Sequence, residues 1–284
     1  MGELDIRNFD APYGAEVRGF DPRAPMDAER ASQLQAAFDE RGLLLFRELD
    51  VTFAEQQTLV DLLLDAEDSL TSLPDGFVEE GTHVSNRRGE QSAFGRLNFH
   101  SDALWSENPF LLVSLYALEV ASDAPPTSFA NTDVAWRTLP ADLRARVEGL
   151  HVLQGEGAVQ AYDEKDGEKF TTDPTQRDRS RVTPVGLPHP RTGRNLLFVS
   201  EQQTREVVEL ADDESRELLD ALFAHLYRPE NILEHTWRDG DFVAWDNLAV
   251  QHARPHLHVE GSTRILRRTV VPPSWIWKLQ YVDS

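Results

Sequence analysis

Two histidines and one aspartate carry the chemistry that this sequence advertises. In the stretch NFHSDALW, His100 and Asp102 stand two residues apart. On a strand, residues two apart point to one face, so an imidazole and a carboxylate would converge on a single point. A third ligand has to come from elsewhere. His252, in WDNLAVQHAR, is the candidate, with His256 and His258 as nearby competitors. Two imidazoles and a carboxylate on one face of an octahedron leave three positions open, which suits Fe(II) handling oxygen and a bidentate co-substrate. The same set suits zinc activating a water, so a zinc hydrolase is a second reading. Arg264 follows His252 by twelve residues and Arg268 by sixteen, and the hydrolase reading leaves Arg264 without a role.

Composition narrows the field further. The 284 residues include 28 Lys and Arg against 49 Asp and Glu, a formal charge of −21, and no cysteine. Without cysteine there is no disulfide, no thiolate nucleophile, no Cys-ligated zinc and no iron–sulfur cluster. Any metal must be held by His and carboxylate. The negative charge argues against nucleic acid and against an anionic membrane surface, and leaves a small-molecule substrate. An anionic substrate would need a locally positive pocket. No apolar run approaches the ~18 residues of a membrane span, and the opening MGELDIRNFD lacks the shape of a signal peptide, so the expected location is cytoplasmic.

The elements that must position these groups are short and mostly β. The spacing of Leu34, Ala37 and Phe38 predicts a helix over 26–41 that Gly42 can stop, and 43–48 reads as a buried strand. Thr52 with Glu55 three residues on predicts a capping box for a second helix. Strands are expected at 93–99, 110–120, 128–131, 151–155, 181–187, 196–200, 232–237, 241–245 and 264–271, with helices near 140–149 and 213–227. Such a series of short strands predicts a sandwich or closed sheet flanked by helices. Residues 156–180 are polar and read as a surface loop, a candidate lid. One domain over 1–284 is expected, with 1–92 as its N-terminal α/β part. The apolar stretch SWIWKLQYV offers either a homo-oligomer interface or a cap on its own barrel.

The stretches FHSDALW, PTSFANTDVAWRTLP, HPRTGRNLLFV, TWRDGDFVAWDNLAVQHAR and RILRRT, in this order, resemble the TauD/TfdA-type Fe(II)- and 2-oxoglutarate-dependent dioxygenases over roughly residues 43–271. The resemblance implies a double-stranded β-helix, the jelly-roll or cupin-like core. It implies that His100, Asp102 and His252 are the catalytic metal triad for Fe(II), with 2-oxoglutarate and O2 as co-substrates and succinate and CO2 as products. Arg264 matches the arginine that grips the distal carboxylate of 2-oxoglutarate, and Thr127 the threonine that supports it. The family usually places a Gly-Gly pair just before that threonine, whereas this chain has Ala124-Pro125-Pro126. Arg268 matches a substrate-contacting arginine, and His83 falls in a region that lines the substrate site in relatives. Trp105 is either core or a wall of the substrate pocket. Asp102 stands where related halogenases carry a small residue, which favours oxygenation. Trp237, Trp245, Asp246 and Asn247 are expected to be structural, the last two bonding loop backbone. A non-catalytic cupin-like binding module would lack a triad member, and none is missing here.

Overall fold

Leu43, Leu44, Leu45 and Phe46 are apolar without a break because their strand is buried on both faces. Leu43 and Leu45 join a cluster between two sheets, while Leu44 and Phe46 join another beneath two helices. The same alternation runs along Phe242–Asp246, where Val243 and Trp245 face the first cluster and Phe242 and Ala244 the second. This computed structural model describes residues 4–73, 77–87, 95–155, 180–258 and 260–272. Apart from Ser180, the expected lid over 156–180 lies outside the described residues, as does the apolar stretch 274–282.

The major sheet has seven strands, in the order Asp5–Asn8, Ala15–Arg18, Leu43–Phe46, Phe242–Asp246, Leu112–Val120, Arg264–Val271 and His83–Ser85. A second sheet of four runs Ile232–His235, Thr127–Asn131, Val250–Leu257 and Gly95–His100. Between them sits the first cluster, with Val113, Leu115, Leu266 and Val270 from the larger sheet meeting Phe129 and Val250 from the smaller. Apart from the hairpin Asp5–Asn8 and Ala15–Arg18, neighbouring strands in these two sheets come from distant parts of the chain. Two facing sheets crossed in this way form the expected jelly-roll core.

The helices cover the outer face of the major sheet. Ala28–Arg41 is capped by Asp27, whose side chain accepts from the Arg30 amide, and it ends at Gly42, left-handed at φ 69°. Phe53–Leu63 begins with the expected capping box, in which Thr52 and Glu55 each satisfy the other's backbone amide. A cap of this kind contributes about 1 kcal/mol. Farther along, the helix Asp212–Leu226 lays Leu218, Leu219 and Leu222 on a three-stranded sheet that includes His151–Gly155.

Two differences from the sequence reading have physical causes. The single strand expected over 181–187 is two, because Ser180–Pro184 pairs with His151–Gly155 and Gly186–Pro188 with Asn195–Leu197. Val250–Leu257 is a strand that sequence periodicity did not reveal. Its inward positions carry His252 and Arg254 in place of aliphatic residues, so no apolar alternation marks it.

Candidate active site

His252 and His100 are directly opposite each other in the antiparallel ladder, and their ring centroids lie 4.2 Å apart. Asp102 reaches the pair by a different route from the one expected. The strand Gly95–His100 ends at His100, and Asp102 lies beyond it in the turn 102–105. Strand alternation therefore does not bring imidazole and carboxylate together; the turn does. Ala103 takes a left-handed φ of 57°, which reverses the chain just after the carboxylate. The Asn247 side chain fixes the result: its Oδ1 accepts from the Asp102 amide and its Nδ2 donates to the Asp102 carbonyl, each at 2.9 Å.

Asp102 Oδ1 is 3.5 Å from His100 Nε2 and 3.8 Å from His252 Nε2. One ligand atom from each of the three residues lies within 4.8 Å of the others, the only such group of three among the described residues. His100 Nδ1 lies 2.8 Å from the Asn98 carbonyl, which can only accept, so Nδ1 carries a hydrogen and Nε2 is the nitrogen turned toward Asp102. Burial, with His100 alongside, pushes His252 down to about 3, which keeps its imidazole neutral. Burial acts to raise the Asp102 carboxyl, but contact with His100 and the charge of Arg268 outweigh it and hold it well below the usual range. Two imidazoles and a negative oxygen thus share one small volume, a donor set that fits a divalent cation. His256 and His258 pack against each other, with ring centroids 4.1 Å apart and planes tilted by 47°, and are outside this group.

The last strand of the major sheet supplies the positive charge. Leu266 and Val270 face the inter-sheet core, and Arg264 and Arg268 share their parity. Arg268 Nη1 donates to Asp102 Oδ2 at 2.9 Å. Arg264, 1% exposed, donates from Nε to the Pro125 carbonyl at 3.2 Å and from Nη2 to Thr127 Oγ1 at 3.0 Å. Its Nη1 is buried without an acceptor. Burial pushes this guanidinium down to about 10, so it stays charged at neutral pH. A buried cation with a spare donor fits a carboxylate. The Ala-Pro-Pro sequence before Thr127 does not prevent this arrangement, since Pro125 contributes an acceptor through its carbonyl.

Other residues near the site are placed as follows. Arg267 points the opposite way, donating to Gln56 Oε1 at 2.7 Å and to the Val51 carbonyl at 2.6 Å. His83 pairs with Arg267 in register, while its neighbour Val84 packs on the inter-sheet cluster. Alternation therefore turns His83 away from Asp102 and its partners, and the structure does not bring it to the site. Trp105 is buried in the turn that carries Asp102. Asp246 caps the turn before His252, accepting from the Leu248 and Ala249 amides at 3.0 Å, and takes a 2.8 Å contact from His189 Nε2. One contact had no sequence signal beyond a tryptophan shortly after a strand: Trp237 Nε1 donates to Thr127 Oγ1 at 2.9 Å.

Comparison with known proteins decides the class. The model of the taurine catabolism dioxygenase TauD, TfdA family matches residues 5–270. The chain belongs to this family. It is accordingly a 2-oxoglutarate-dependent non-haem iron dioxygenase, which uses Fe(II), 2-oxoglutarate and O2 and acts on a small molecule. Among its relatives, pentalenolactone F synthase of Streptomyces arenae is 27% identical over 92% of both chains. The (S)-phenoxypropionate/alpha-ketoglutarate-dioxygenase of Sphingobium herbicidovorans is 29% identical over 88% of both. The crystal structure of a taurine dioxygenase from Burkholderia xenovorans superposes with a TM-score of 0.74 at 24% identity, covering 95% of this chain and 90% of that one. In this TauD/TfdA dioxygenase no helix among the described residues is long and apolar enough to cross a membrane.

Proposed function

We propose that this dioxygenase hydroxylates an unactivated C–H bond of a small anionic organic molecule at a site built from His100, Asp102, His252, Arg264 and Thr127. The observation that carries this reading is the buried Nη1 of Arg264, a charged donor without an acceptor, lying on the same sheet face as the arginine that contacts Asp102. His100, Asp102 and His252 would hold Fe(II). Arg264 and Thr127 grip the distal carboxylate of 2-oxoglutarate. Bound iron supplies the activation of oxygen that couples decarboxylation, to succinate and CO2, with oxidation of the substrate.

The protein's own share is orientation and charge. The His100 tautomer is fixed by the Asn98 carbonyl, and Asp102 is held by Asn247, so the ligands are in place before any ion arrives. Arg268 uses one of its five N–H donors on Asp102 and has 40% of its side chain exposed, which leaves donors for an acidic group on the substrate. A relative named for phenoxypropionate supports an anionic substrate class. Trp105 forms part of the wall on the Asp102 side. We place all of this in one domain, since the inter-sheet cluster draws on Tyr13 as well as Val270.

The deciding experiment is an anaerobic titration with Fe(II) and then 2-oxoglutarate, followed in the visible spectrum. A weak charge-transfer band that is absent in His252→Ala and weakened in Arg264→Ala supports the assignment. Absence of the band, with zinc co-purifying, overturns it. Alkyl sulfonates, sulfate esters and aryloxy carboxylates form the first substrate panel, read by succinate released per substrate consumed.

A further inference from the structure

The Thr127 hydroxyl is engaged twice as an acceptor. Arg264 Nη2 donates to it at 3.0 Å and Trp237 Nε1 at 2.9 Å. A hydroxyl has two lone pairs and one hydrogen, so with both lone pairs filled the hydrogen has to be donated outward. Among the described residues no acceptor takes it. The neighbouring Nη1 of Arg264 is likewise buried with no acceptor. Two donors, one charged and one neutral, are left for a single ligand group.

We propose that Trp237 is a positioning residue for the co-substrate: its indole N–H fixes the Thr127 hydroxyl so that its hydrogen, together with Arg264 Nη1, is presented to the distal carboxylate of 2-oxoglutarate. This rests on the reading of Arg264 and Thr127 given above. The indole is itself held in place. It is buried in the inter-sheet cluster and meets His235 edge-on, at 4.6 Å and 90°. His235 pairs with Thr127 across the sheet and lies 3.1 Å from Asp241, which Arg47 contacts at 2.9 Å. The ring face offers a competing role, as a cation–π partner of Arg264. At 5.9 Å from guanidinium carbon to ring centroid, that contact is at the outer limit of the interaction, and the N–H is the stronger link.

The test is a double-mutant cycle read by equilibrium binding. The Fe(II)-loaded protein is titrated anaerobically with 2-oxoglutarate, by calorimetry and by the visible band. Trp237→Phe keeps a ring and removes the donor; it weakens 2-oxoglutarate binding about fivefold to tenfold, the worth of one neutral hydrogen bond, because the indole acts through the Thr127 hydroxyl and does not touch the carboxylate. Fe(II) affinity and kcat at saturating 2-oxoglutarate stay within about twofold of the parent. In a Thr127→Val background the same substitution costs no more than about twofold, because there is no hydroxyl left to orient.

Equal weakening in both backgrounds assigns the effect to ring packing and overturns the proposal, as does no weakening in either. If the parent protein fails to bind 2-oxoglutarate, the functional reading itself fails and this inference falls with it, before any variant is compared. Should Trp237→Phe not fold, the parent protein loaded with Zn(II) gives a second readout. The indole N–H resonance of Trp237, identified by its NOE to the Thr127 methyl, moves downfield when 2-oxoglutarate is added and does not move in Thr127→Val. A resonance that stays still in the parent overturns the proposal.

Discussion

Asn247 holds both backbone polar groups of Asp102, accepting from its amide and donating to its carbonyl, although the two residues are 145 positions apart. The same Nδ2 also donates to the Phe110 carbonyl at 2.8 Å. A side chain that looks like ordinary turn chemistry in the sequence is thus the clamp on a candidate metal ligand. Asn247→Ala leaves these groups unsatisfied in a buried turn, at a cost of about 2–4 kcal/mol. Fe(II) affinity should fall about 10- to 100-fold, as for other residues that orient a ligand from behind. Urea unfolding and Fe(II) titration on the same preparation check the two effects separately. Unchanged Fe(II) affinity in a folded variant would show that Asp102 keeps its position without the clamp.

Arg264 is the sharpest test of the co-substrate site. Arg264→Lys keeps a charge but loses the fork that reaches Pro125, Thr127 and a ligand at once. Binding of 2-oxoglutarate should weaken by about 30- to 100-fold, the value of charge-assisted hydrogen bonds worth about 2–3 kcal/mol. Metal affinity should stay where it is, because no triad atom touches Arg264. A parallel loss of Fe(II) binding would place Arg264 in the support of the triad instead.

Much of this site was legible because metal-ligand spacing and paired arginines survive in any reading of the letters. The geometry was less so. His100 and Asp102 were expected to converge by strand alternation, yet the strand stops at His100 and a turn delivers the carboxylate. Spacing of two is compatible with both, and only the remote Asn247 contact distinguishes them. The strand Val250–Leu257 was hidden because the site replaces its inward aliphatics with His252 and Arg254. Its function erased the apolar character that reveals strands elsewhere, as in the unbroken apolar run Leu43–Phe46. The Trp237 contact with Thr127 and the orientation of His83 were not legible for a related reason: which side chain meets which depends on cross-strand register, and register is a tertiary property.

Metal should stabilise this fold through the triad alone. One ligand atom each from His100, Asp102 and His252 lies within 4.8 Å of the others, so a single cation would engage all three. With free Fe(II) or Zn(II) at about 100 times its dissociation constant, mass action contributes about 2.7 kcal/mol of stability. The thermal midpoint should rise accordingly in the parent, fall back on chelation, and show no rise in His252→Ala. A metal-induced rise that persists in His252→Ala would locate the ion elsewhere.

His252 also predicts how the metal-free protein responds to acid. Its folded pKa, about 3, is below the ordinary histidine value of about 6.5, so between these limits the unfolded chain binds a proton that the folded chain does not. Stability from this group is therefore fully present above about pH 6.5 and is lost as pH falls toward 3. The slope is about 1.4 kcal/mol per pH unit at most, so moving from pH 6.5 to 5 should cost the metal-free protein about 2 kcal/mol through this one residue. His252→Gln removes the titrating group, and the difference between the two urea-unfolding profiles isolates it from every other acid and base. Parallel profiles would mean that the imidazole charges freely in the folded state, through solvent reaching it between the sheets.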